Sequence, residues 1–220
     1  MNFPKTVHTG VISVWTVFFM KKAILFAVIS ISFIGIFYAS ACYQDKRQLQ
    51  DEIIRLHVVA NSDSDADQAQ KLRVRDAVND YLGHLLESAD SAQEAMQIIG
   101  KHLHELETVA QDLLSSEGTE MSVRASLQKE MFDIREYETF TLPSGIYTAL
   151  RIELGEAKGK NWWCVVFPSL CLPAAGDSFA DTAAGAGFSD SLSNSLTGKY
   201  QFRFFVIDLY GQLEKLFANP

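Results

Sequence analysis

Residues 23 to 41 form a run of nineteen without a charged side chain; Lys21 and Lys22 precede it, and it ends in Ala39, Ser40 and Ala41 directly before Cys42. No other feature constrains the chain as much. An apolar stretch of about 20 residues can cross a bilayer as a helix, while a positive flank, an apolar core and an A-x-A exit are the layout of a secretory signal peptide. The segment is therefore a cleaved signal peptide or a retained membrane anchor. Positive charge stays on the cytoplasmic side, so in both cases the rest of the chain is exported and makes membrane contact only if the segment is uncleaved. Met20 ahead of the two lysines has the form of a start, which makes residues 1–19 an extension that is rarely translated. Cys42 also stands where a lipidated cysteine would, although Ala39 occupies a place usually held by a larger aliphatic residue.

Charge excludes one class of partner. Lys5, Lys21 and Lys22 are the only charged residues before Cys42, so removing that segment takes the formal charge from −8 to −11. An exported remainder with 16 basic against 27 acidic residues has no basic surface with which to neutralise phosphates, and nucleic acid is not an expected partner. Cysteine usage agrees with export. With Cys42 at the processing point, Cys164 and Cys171 remain as an even pair in a compartment that permits disulfides. A bridge between them is the expectation, closing a small loop around Pro168; two buried free thiols are the alternative.

Past Cys42 the hydrophobic period alternates between strand and helix. Residues 53 to 60, IIRLHVVA, are β-branched or apolar except for Arg55 and His57, which share one face, and predict a strand. NSDSDADQ follows as a turn rich in capping residues, and apolar positions at helical spacing predict a helix over 64–86. Ser91 with Glu94 forms a capping box, the stripe Met96, Ile99, Leu103, Leu106, Ala110 and Leu113 predicts a second long helix, and Gly118 ends it. Alternation at Met121, Val123, Ala125 and Leu127 predicts a strand. Another strand follows the Pro143-Ser144-Gly145 turn, and residues 161–168, NWWCVVFP, are expected to return antiparallel to it as a hairpin. Residues 174–198, rich in Ala, Gly, Ser and Asp, read as a flexible linker, and 199–220 as one more strand and a short helix. The expected architecture is α+β: a small antiparallel sheet packed against two long helices, with residues 42–173 as the main domain.

Side chains with chemical potential are present but do not assemble into a motif. Asp63, Asp65 and Asp67 repeat half of a calcium loop, yet Gln68 stands where its glycine belongs and Val74 where its bidentate glutamate belongs; capping of the following helix is the better account. His57, His84, His102 and His104 have no metal spacing, and His102 and His104 point apart on a helix. Glu136 and Glu138 share a strand face without further support for acid/base work. GAGFSD at 185–190 lacks the flanking strand and helix of a nucleotide loop. No catalytic, cofactor or metal site is therefore expected. In NWWC, strand geometry sends Trp162 and Trp163 to opposite faces, so one is expected in the core while the other, with Asn161, remains available to a partner.

Residues 54–78, IRLHVVANSDSDADQAQKLRVRDAV, and 142–171, LPSGIYTALRIELGEAKGKNWWCVVFPSLC, resemble the signature regions of the stage II sporulation protein R family of endospore-forming bacteria. The likeness runs over about residues 20–172, with Ser169 where the family has a second proline. The resemblance implies a messenger without enzymatic activity, made in the forespore and exported into the space between forespore and mother cell. There it would trigger a membrane-embedded aspartic protease that matures the precursor of sigma factor E. The residues alone also admit an exported glycan-binding module that stacks sugars on the tryptophans, or an exported hydrolase.

Overall fold

The computed structural model describes residues 14–136 and 141–168, and the chain divides into two units after Cys42. The first unit holds most of helix α1 (Val14–Glu52). Residues 17–40 are exposed throughout, apolar side chains included, and by length and composition this helix can cross a membrane. That is compatible with a signal peptide or an anchor. The linker 174–198, the C-terminal strand and helix expected at 199–220, Glu138 and Cys171 lie outside the described residues.

In the second unit a four-stranded sheet carries helices on one face. The strands are β1 (Ile54–Val59), β2 (Val123–Phe132), β5 (Gly145–Leu154) and β6 (Asn161–Phe167), in the order β2-β5-β1-β6; β3 (Arg135–Glu136) and β4 (Thr141–Leu142) form a separate short ribbon. Helices α2 (Asp65–Leu85), α3 (Ala92–Lys101) and α4 (Leu103–Ser116) lie in the same unit. Ile54, Leu56 and Val58, Leu150, Ile152 and Leu154, and Cys164 and Val166 face Val74, Val78 and Leu82 of α2, Ile99 of α3, and Leu106, Ala110 and Leu114 of α4 in a single core.

The α+β class holds, with two corrections to its details. The sheet is mixed, because β1 pairs parallel with β5 and antiparallel with β6, so β5 and β6 are not a hairpin. All six residues of β1 are buried, and a strand buried on both faces is most stable in a central position, where neighbours cover both its edges and both its faces. The second correction is that the helix after Ser91 is not continuous. His102, at φ −111° and ψ 20°, separates α3 from α4, and its Nδ1 bonds the Ile98 carbonyl at 2.8 Å, taking an acceptor the helix would otherwise use four residues on. The apolar stripe is kept across the break.

Local stop and start signals act as the sequence implies. Ser91 Oγ accepts from the Glu94 N–H at 3.2 Å, while Glu94 Oε2 reaches back to the N–H of Asp90 instead of Ser91. At the other end, Gly118 at φ +73° ends α4, with the Thr119 N–H on the Leu114 carbonyl and the Gly118 N–H on that of Ser115, the paired bonds of a left-handed C-cap.

Candidate functional site

The turn after β1 and the loop before β6 are interlocked, and together they position the NWWC strand. Ser64 is the N-cap of α2, its Oγ accepting from the Asp67 N–H. Asp67 in turn accepts from Ser62 Oγ at 2.5 Å and Asn61 Nδ2 at 2.9 Å, and these bonds hold its carboxyl below the ordinary range. Across the gap, Asp63 Oδ1 accepts the Lys160 N–H at 2.7 Å and Asn61 Oδ1 the Glu156 N–H at 2.9 Å. Backbone bonds run from Lys158 N–H to the Asn61 carbonyl and from Gly159 N–H to that of Ala60. A Cβ on Gly159 would collide with the Ser62 carbonyl, so this close approach requires glycine. The buried Lys71 of α2 closes the junction by donating to the Lys160 carbonyl at 3.0 Å, and burial pushes its pKa down. Asp63 and Asp67 are thus engaged by protein donors.

Beyond this clamp, the two tryptophans diverge as strand geometry requires. Trp162 lies on the helix side, packed against the core, with the Arg75 guanidinium 4.3 Å from its ring centroid. Trp163, paired with His57 in register, lies on the other face. The expected division into one core and one exposed ring does not occur, since both are half-buried and only Asn161 is exposed. Asn161 and Trp163 share a face, and Trp162 does not belong to it.

That second face holds a cluster which sequence reasoning did not anticipate. Trp163 stacks on His57 at 3.8 Å and meets Phe132 edge-on at 5.0 Å. His57 Nδ1 lies 2.8 Å from Glu130 Oε2, and Arg151 donates to Glu130 Oε1 at 3.2 Å and to Glu153 at 2.9 Å. Beside them the Arg55 guanidinium lies 4.0 Å from the Phe132 ring centroid and 5.3 Å from that of Tyr147. Burial pushes the His57 pKa down and outweighs Glu130 and Asn161, which favour its charged form. Burial also opposes ionisation of Glu130, but bonds from Gln128, His57 and Arg151 prevail and hold the carboxyl below its ordinary range. The site therefore contains an ionised glutamate, a neutral imidazole and an arginine. The one hint of it in the sequence was the placement of Arg55 and His57 on the same face of an otherwise apolar strand.

The remaining candidates are dispersed. His84 and His104 are exposed beside Glu87 and Glu107, and His102 serves the helix break. Glu136 is exposed on β3. Among the described residues no group of three or more His, Cys, Asp or Glu side chains could hold a metal ion. Cys164 is buried on the helix side.

Comparison with known proteins gives a consistent picture. The stage II sporulation protein R family matches residues 50–176, which include the clamp, the cluster and both tryptophans. Stage II sporulation protein R of Bacillus subtilis (strain 168) is 34% identical over 160 residues, covering 69% of this chain and 71% of the relative. No solved structure matches.

Proposed function

The chain belongs to the stage II sporulation protein R family, which gives it a role in sporulation, and on that premise we propose that it is an exported messenger and not an enzyme. It passes from the forespore into the space between forespore and mother cell and activates a membrane-embedded aspartic protease, which then processes the precursor of sigma factor E. The observation that carries this reading is the family match across the folded unit. Two further features support it: the apolar helix ahead of that unit, and the partly exposed rim of Asn161, Trp163, Arg151 and Glu153 on a rigid sheet, which suits recognition of a protein. The glycan-binding alternative is weaker, because Arg75 already lies over one indole and His57 is stacked on the other.

The test is complementation. The full chain, expressed in the forespore of a strain lacking its own copy, restores precursor cleavage, and a version without residues 1–41 does not, because it stays in the forespore cytoplasm. Restoration by the unexported version would overturn the reading. N-terminal sequencing of the extracytoplasmic material separates a cleaved segment, starting at Cys42, from a retained anchor.

A further inference from the structure

Among the described strands β2 lies at the sheet edge, ten residues long and paired with β5 along its whole length. Glu107 Oε1 accepts the Ala125 N–H at 2.8 Å, which shows that this amide points away from β5. In an antiparallel pair the outward groups recur at every second residue, so the N–H and C=O of Leu127, Lys129 and Met131 point outward as well. The Gly155 N–H on the Ser122 carbonyl puts the even-numbered positions toward β5, in agreement. Among the described residues nothing bonds to these three outward positions. Natural proteins guard such edges, and here the guard from α4 stops at Ala125.

Alongside the open stretch is an apolar shelf. Met131 and Ile146 are directly opposite each other in register and are 49% and 56% exposed, with Ile134 exposed nearby. An open backbone edge beside exposed apolar side chains is what strand addition requires: the main chain supplies affinity and the alternate side chains supply specificity.

We propose that residues 127–131 of β2 receive an extended segment of the partner protein as a fifth strand, with an apolar residue beside Met131 and an acidic one beside Lys129. The charge argument selects this occupant. Lys129 is exposed and makes no ion pair among the described residues, while Glu130 is held by His57 and Arg151. A second copy added antiparallel about Lys129 would set lysine against lysine, a destabilising pair. The proposal rests on the reading that the chain activates another protein, and it places the contact on a backbone edge in addition to the Trp163 face.

Lys129→Pro removes one outward N–H without touching the bonds to β5, and prolines are tolerated on edges. It is expected to keep the melting temperature within a few degrees and to lower precursor processing in sporulating cells about tenfold or more. Lys129→Ala, which retains the N–H, loses at most about threefold, the share of one exposed charge pair. Because proline can still disturb folding, Met131→Lys is the second variant; it changes only an exposed side chain and is expected to lower processing in the same direction. Full processing with folded, exported Lys129→Pro and Met131→Lys overturns the proposal. So does sedimentation of the wild-type chain as a dimer that Lys129→Pro dissociates, or loss of binding to anionic phospholipid vesicles with processing intact. If the edge variants process normally while Trp163→Ala does not, strand addition fails and the messenger reading stands; normal processing with no copy of the chain present removes both.

Discussion

The indole of Trp163 and the imidazole of His57 lie stacked, 3.8 Å apart at 21°, on adjacent strands at positions paired in register. The stack ties the most distinctive segment of the sequence to the only histidine in the sheet. On the far side of the same strand, Trp162 serves the core and α2. The two neighbouring tryptophans therefore have separable roles.

Substituting each with alanine distinguishes those roles. Trp162→Ala is expected to cost about 2 kcal/mol of stability, below the 3–5 kcal/mol of a fully buried ring, because the residue is only half-buried. Trp163→Ala leaves a folded, exported chain that fails to support precursor cleavage. Thermal unfolding of each purified variant, beside processing in cells, decides; full activity of folded Trp163→Ala would place the contact elsewhere.

Acid is expected to weaken the fold through the His57 cluster. The folded state holds His57 below its ordinary value of 6.5, so below that pH the unfolded chain binds protons that the folded one does not, and stability declines as pH falls toward the folded value. Glu130, also depressed, adds a second loss of the same sign below its ordinary 4.5. The melting temperature is expected to drop between about pH 7 and about pH 5, and His57→Gln to flatten that slope. A slope unchanged by the substitution would assign the acid sensitivity to other groups.

The clamp between residues 61–63 and 155–160 is structural. Ser64→Ala removes the cap of α2 for about 1 kcal/mol, and Asp63→Ala removes the acceptor for the Lys160 amide for about 1 kcal/mol. Neither is expected to reduce signalling beyond its effect on abundance, as chemical denaturation and immunoblotting would show. Abolished signalling by Asp63→Ala at unchanged stability would make the turn a contact surface.

The cysteine pair is expected to be oxidised. Alkylation of the exported, folded chain without reduction should miss both Cys164 and Cys171, and labelling of both should follow reduction. Ready labelling beforehand would refute the bridge.

The sequence by itself determined the elements whose causes are local. The apolar run after Lys21 and Lys22 needs only length and composition to define a helix. Capping by Ser64 and Ser91 and the stop at Gly118 depend on side chains within a few residues of the backbone groups they satisfy, and the alternation at Val123, Ala125 and Leu127 already names their inward face. Tertiary structure decided which strands are neighbours. Between β5 and β6 a six-residue connection reads as a hairpin, yet β1, from ninety residues earlier, lies between them because a strand buried on both faces gains most in the middle of the sheet. That insertion made the sheet mixed, brought His57 between Arg151 and Trp163, and set Glu130 within reach of both His57 and Arg151. Pairing across such sequence separations depends on burial and packing, which no local period encodes.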